Sequence, residues 1–158
     1  MIVVSDTSAI TSLIQVGRVE LLAHLYGEIF IPEAVQMELL RTHLTLPKFI
    51  RSRGPANQSE VRRLSTELDL GEAEAIILAK EIGADYLLID ESDGRRVAIR
   101  EGVRVVGLLG ALLEAKERGY LGSVRELAGE LEAIAGFRVA EAVKRIVFRE
   151  AGEDLPPP

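Results

Sequence analysis

Cysteine is absent from the 158 residues, which excludes disulfides, thiolate metal centres and cysteine nucleophiles. Histidine is nearly so: His24 and His43 are the only two, too few for a multi-histidine zinc site. Aromatic residues make up 4% of the chain against 47% hydrophobic residues, so there is apolar material for one compact domain, expected to span residues 1–158. No basic leader runs into a long apolar segment, so neither secretion nor membrane insertion is expected, and the cytoplasm is the expected location. Positive charge is also in deficit. The formal net charge of −6 argues against a protein that holds nucleic acid by overall electrostatic attraction.

Several functional classes fall away through missing motifs. Neither G-x-x-x-x-G-K-[ST] nor G-x-G-x-x-G occurs, so nucleotide binding of those kinds lacks support. A phosphoryl-transfer site with a second aspartate two positions after the first would need an acid at position 8, where Ser8 stands. A receiver-like module would need a late lysine beside a strand, and the late strand-like segments offer none.

What the chain has is an alternation of short apolar strands and helical patterns. Strands are expected at Ile2–Ser5, Glu28–Ile31, Tyr86–Ile89 and Val103–Val106. Between and after them, helices are expected after the cap-type residues Asp6-Thr7-Ser8, carrying Ile10, Leu13 and Ile14 and ended by Gly17, and at Val19–Leu25, Glu33–Arg41, Ser59–Leu68, Leu70–Ile82, Arg95–Arg100, Leu108–Arg118, Ser123–Ala135 and Ala140–Glu150. His43–Asn57 has poor periodicity, and Pro156-Pro157-Pro158 reads as a frayed tail. Residues 123–158 form a C-terminal helical extension expected to cover the sheet or to meet a partner, whether a second copy or another protein. Strands separated by helices imply parallel pairing with right-handed crossovers, hence a three-layer α/β/α sandwich with a mainly parallel sheet.

That topology gives meaning to four acids. Asp6 and Asp90 each follow a strand, where open α/β sheets place their binding crevice, while Glu38 and Glu74 lie inside helices. Brought together, they would form a carboxylate cup suited to a hard cation such as Mg²⁺ or Mn²⁺, and to phosphodiester hydrolysis. Each has a structural alternative: Asp6 as a helix cap, Glu38 as a solvent-facing residue, Asp93 as a cap for the helix of Arg95 and Arg96. Glu72 and Glu74 point about 200° apart on one helix, so only one is expected in the cup. Asp69 with Glu72 has capping-box spacing, which leaves Glu74 as the expected ligand. Fifteen arginines against four lysines add forked phosphate partners, clustered at Arg51, Arg53, Arg62, Arg63 and at Arg95, Arg96, Arg100, Arg104.

Four segments carry a family resemblance in the correct order: Val4-Ser5-Asp6-Thr7-Ser8, Ile31-Pro32-Glu33-Ala34-Val35 with Glu38-Leu39, Gly71-Glu72-Ala73-Glu74-Ala75-Ile76, and Leu88-Ile89-Asp90-Glu91. Together they resemble the PIN domain (PilT N-terminus), in a prokaryotic branch of unknown function related to the toxin half of VapBC-type toxin–antitoxin modules. The resemblance implies a ribonuclease dependent on Mg²⁺ or Mn²⁺, with RNA as substrate and an antitoxin protein as possible partner. Asp6, Glu38, Glu74 and Asp90 match the family's acids as catalytic residues. The implied metal ligands are Asp6, Glu74 and Asp90, with Asp93 as the competing acid in its loop. Thr7 or Ser8 matches the hydroxyl beside the first acid. The chain departs from the common pattern in carrying glutamate at position 74 and Asp90-Glu91-Ser92-Asp93 in place of a threonine-x-aspartate turn. A catalytically weak nucleic-acid-binding or regulatory module on the same fold, and a homodimer, are the other readings the sequence leaves open.

Overall fold

The computed structural model describes residues 1–153; the proline tail lies outside the described residues. Buried triplets such as Val3-Val4-Ser5 are stable when both faces are covered, and they form the centre of a sheet of five short strands. All five pair in parallel: β1 (Val3–Ser5), β2 (Ile29–Ile31), β3 (Ile50–Ser52), β4 (Tyr86–Leu88) and β5 (Val105–Val106), in the order β3-β2-β1-β4-β5. β1 is central, with Val3 opposite Ile29 on one side and Tyr86 on the other.

Helices cover both faces, giving the expected α/β/α sandwich. They are α1 (Thr7–Gln15), α2 (Glu20–Tyr26), α3 (Glu33–Thr42), α4 (Gln58–Leu64), α5 (Leu70–Glu81), α6 (Ser92–Arg100), α7 (Leu108–Glu117), α8 (Val124–Ala135) and α9 (Glu141–Glu150). Alternation along the strands divides the core. Val3, Ile29 and Leu88 face a layer built from α1, α2, α7 and α8, while Val4, Leu87 and Ile89 face α5 and α6.

The helix expected at Ser59–Leu68 ends at Leu64, and two further differences from the expected elements have physical causes. β3 lies in the segment without periodicity, because an edge strand with only Ile50 buried and Arg51 and Ser52 exposed carries no apolar alternation. α6 begins at Ser92, three residues before the expected start, so Asp93 and Gly94 are helical instead of belonging to a polar loop.

The C-terminal extension is tied down by one carboxylate. Leu127 and Leu131 of α8 and Phe148 of α9 are buried in the first core layer. Just past α9, Glu153 accepts hydrogen bonds from Val124 N–H at 2.8 Å, Arg125 N–H at 3.2 Å, the Ser123 hydroxyl and the Lys116 ammonium at 2.9 Å. The two backbone donors are free N-terminal groups of α8, where a negative charge is favoured. Burial alone would raise the Glu153 carboxyl, but Lys116, Ser123 and the two backbone donors outweigh it and hold the pKa at about 2. Its stabilising contribution is therefore complete above the ordinary glutamate range and lost as pH falls towards 2. Glu153→Ala is expected to cost about 2 kcal/mol at neutral pH, read as a lower urea midpoint, with the difference from wild type shrinking in acid.

Candidate active site

In the order β3-β2-β1-β4-β5 the chain reverses its direction of growth between β1 and β4, and the crevice of an open α/β sheet lies beyond the carboxyl ends at such a reversal. Asp6 and Asp90 follow those two strands. The Asp6 backbone N–H donates to Leu88 O at 3.0 Å, which fixes both strand ends in register. Over them opens a cavity of about 870 Å³, lined by eight carboxylates: Asp6, Glu38, Glu67, Asp69, Glu72, Asp90, Glu91 and Asp93. Thr7, Ser8, Thr11, Ser12 and Ser92 add hydroxyls to the wall.

Each acid is placed by its element. Asp6 is the N-terminal flanking residue of α1, yet its side chain makes no capping bond, so the carboxylate is available to the cavity. Burial raises its pKa to about 6, against a lowering hydrogen bond from Thr7 N–H, with Asp69, Glu38 and Asp90 adding like charge. Glu38 reaches the cavity from α3, held by the Thr7 hydroxyl, which donates to its Oε2 at 2.7 Å. Gly71 permits that approach, since a Cβ there would stand 3.0 Å from Glu38 Oε1. Asp90 accepts Leu108 N–H through both oxygens, at 3.1 and 3.2 Å, and so is anchored on the start of α7. Burial raises its pKa, while Leu108 N–H and then Arg95 oppose the rise. Asp93 lines the cavity rim, with its side chain 69% exposed and 3.8 Å from Arg96.

Glu74 is not among the cavity residues. α5 is buried from Gly71 to Ala79, so both of its glutamates need partners away from bulk water. Glu74, 8% exposed, accepts Ala34 N–H at 2.9 Å at the start of α3. Glu72, 6% exposed, turns the other way and lines the cavity with Asp69. The two glutamates diverge as helical geometry requires, and it is Glu72 that lines the cavity. Asp69 does cap α5, accepting Glu72 N–H at 2.8 Å, and this brings the Glu72 side chain onto the cavity face beside it. Space for it comes from Gly94, where a Cβ would fall 2.5 Å from Glu72 Oε2.

Sequence reasoning read Asp69 and Glu72 only as a capping pair, whereas both line the cavity. It also missed the α8–α9 connection, where Ala135, Gly136, Phe137 and Arg138 form one wall of the cavity. No chemistry-bearing pattern marked that connection. Arg51 and Arg53 do not line the cavity; Arg51 instead stands 3.4 Å from Glu28 at the sheet edge.

The donor set fits a hard divalent cation. It is all oxygen, and burial, then Asp69 and Asp6, hold the Glu72 carboxyl well above its ordinary pKa. Glu72 Oε2 is buried without a hydrogen-bond partner, an orphan that a cation would satisfy. Among the described residues no three acidic or histidine side chains are gathered tightly enough to hold an ion by themselves. Mg²⁺ tolerates this, since it keeps several waters and leans on one or two carboxylates plus substrate phosphates.

No curated protein matches the chain. The PIN-domain family profile matches residues 2–153, nearly its whole length, in agreement with the parallel sheet and the acids at its switch point, and the chain belongs to the PIN-domain family.

Proposed function

We propose that this chain is a ribonuclease dependent on Mg²⁺ or Mn²⁺, acting as one unit over residues 1–158 in the cytoplasm. A PIN domain is a nuclease-type fold, and no described helix is long and apolar enough to cross a membrane. The observation that carries the reading is the meeting of Asp6, Glu72 and Asp90, with Asp69 and Glu38, in one cavity at the sheet's switch point.

Asp6 and Glu72 hold the cation in this reading, with Asp90 or Asp93 from the opposite strand end. A bound Mg²⁺ or Mn²⁺ supplies Lewis acidity towards the phosphate and makes water a stronger acid. Glu38 Oε2 is fixed by Thr7, so its Oε1 orients a water by accepting one of its protons. Asp90, tied to Leu108 N–H, gives the cavity a rigid edge on the β4 side. Serine and threonine hydroxyls along α1 are available to the phosphate oxygens. No side chain becomes a covalent nucleophile.

The second reading is a catalytically weak RNA-binding or regulatory module, favoured by the absence of a tight ligand group among the described residues. One assay separates them. Purified chain is expected to cleave single-stranded or structured RNA with Mg²⁺ or Mn²⁺, to stop when a chelator is added, and to resume when the metal is restored. Persistent cleavage in chelator would remove the metal from the mechanism, and RNA binding without cleavage in either metal would favour the binding module.

A toxin role with an antitoxin partner, or a homodimer, fits the exposed Ile134 on α8 and Ile146 on α9, apolar side chains that a protein surface would cover. Light scattering of the purified chain at micromolar concentration distinguishes a dimer from a monomer awaiting another protein.

A further inference from the structure

Beyond the acidic cavity lies a second one, and the two share a wall. This neighbour, about 580 Å³, has Asp90, Ser92 and Arg138 in common with the first. Its lining is otherwise different: Leu109, Val139, Val143 and Val147 are apolar, Gly107 and Gly110 keep the floor low, and Arg95 adds a second guanidinium. Crossing the shared wall, a ligand passes from eight carboxylates to an apolar niche with two cations at its entrance.

Arg138 is the sole basic residue lining the acidic cavity. Among the described residues neither Arg138 nor Arg95 has a carboxylate within ion-pair distance, whereas Arg100 stands 2.6 Å from the cavity acid Glu67. Arg138 is held by the main chain instead, donating to Glu132 O at 3.3 Å and Phe137 O at 3.2 Å from one terminal nitrogen. Its side chain lines both cavities. Arg95 is fixed similarly, donating to Ile89 O at 3.0 Å. An unpaired guanidinium beside an acidic cavity has one chemically fitting occupant, an anion that enters with the substrate.

We propose that Arg138 grips the phosphate next to the scissile one, and that the niche of Leu109, Val139, Val143 and Val147 receives the base of that nucleotide, with Arg95 and Ser92 at its polar edge. This rests on the ribonuclease reading and names the part of the substrate that the second cavity takes. A nucleotide is the ligand whose two halves match the two linings: an anionic phosphate for the guanidinium, a flat and largely apolar base for the niche. The grip also answers the net charge of −6, since a strand repelled by the surface needs local cationic holds near the cut.

The test uses a short oligoribonucleotide cleaved at one position, in versions with a neutral methylphosphonate or an abasic sugar at the neighbouring nucleotide. Arg138→Ala is expected to raise KM about tenfold with kcat little changed. In the Asp6→Asn background, which permits binding without cleavage, the same change is expected to raise Kd about tenfold for the ordinary strand and not at all for the methylphosphonate strand. Arg138→Lys restores part of the affinity, and the abasic strand binds wild type more weakly. An equal loss on charged and neutral strands assigns Arg138 a structural role and overturns the proposal, as does an unchanged Kd in Arg138→Ala. Loss of the abasic effect alone removes the niche as a base site, which also overturns it. A wild-type chain that neither binds nor cleaves RNA in Mn²⁺ overturns the ribonuclease reading and this inference with it, a result distinct from cleavage that ignores Arg138.

Discussion

Asp6→Asn is expected to abolish metal-dependent cleavage, by about a thousandfold or more, while making the metal-free protein harder to unfold. The two effects have one origin. Asp6 is half-buried beside Asp69, Glu38 and Asp90, and desolvation first, then those charges, raise its pKa from 3.8 to about 6. Between those values the folded chain holds a proton that the unfolded chain releases, so stability declines as pH rises through the window, by about 3 kcal/mol for this group. Above pH 6 the full penalty applies. Asparagine keeps the shape and removes the charge, so urea midpoints of the metal-free proteins should coincide near pH 4 and separate by pH 7.5, with the variant higher. Mn²⁺ should then raise the wild-type midpoint and leave the variant nearly unmoved, because a ligand that binds only the folded state stabilises in proportion to its affinity. A variant no more stable than wild type at pH 7.5 would mean that neither burial nor the neighbouring acids strain the Asp6 carboxylate, and the cavity would lose its claim to a cation.

The same residues show how far sequence carries this protein. β1, β2 and β4 were legible because Val3-Val4, Ile29-Phe30-Ile31 and Tyr86-Leu87-Leu88 are buried apolar runs between helical patterns, and that alternation is enough for the parallel sandwich. The positions of Asp6 and Asp90 followed directly, since a residue after a parallel strand is at the crevice whatever the helices do. β3 was not legible, because an edge strand paired on one side needs only Ile50 to face the core. The choice between Glu72 and Glu74 was not legible either. Helical periodicity says that they diverge; only the neighbours of a helix buried on every side say which one meets the start of α3 and which one the cavity. Arg138 belongs to the same class, because its place depends on α8 and α9 folding back over the sheet, and that return is fixed by Glu153 on the α8 N-terminus, far from any motif.

Substituting the two glutamates separately turns that geometry into an experiment. Glu72→Gln keeps the side-chain volume that α5 needs beside Gly94 but removes the charge available to a cation, and cleavage is expected to fall by about a hundredfold or more with the fold retained. Glu74→Gln keeps an oxygen to accept Ala34 N–H and loses only the attraction between a full negative charge and the start of α3, about 0.5 to 1 kcal/mol, with cleavage close to wild type. Glu74→Ala goes further, leaving the Ala34 donor without its acceptor at a cost of about 1 to 3 kcal/mol, and should unfold earlier while its metal requirement stays the same. The informative comparison is thus between two isosteric changes, two residues apart on one helix, one read as activity and the other as stability. Should the pattern invert, with Glu74→Gln inactive and Glu72→Gln unaffected, the ligand would be the residue suggested by family resemblance, and α5 would have to turn relative to β1 and β4 when the cation binds.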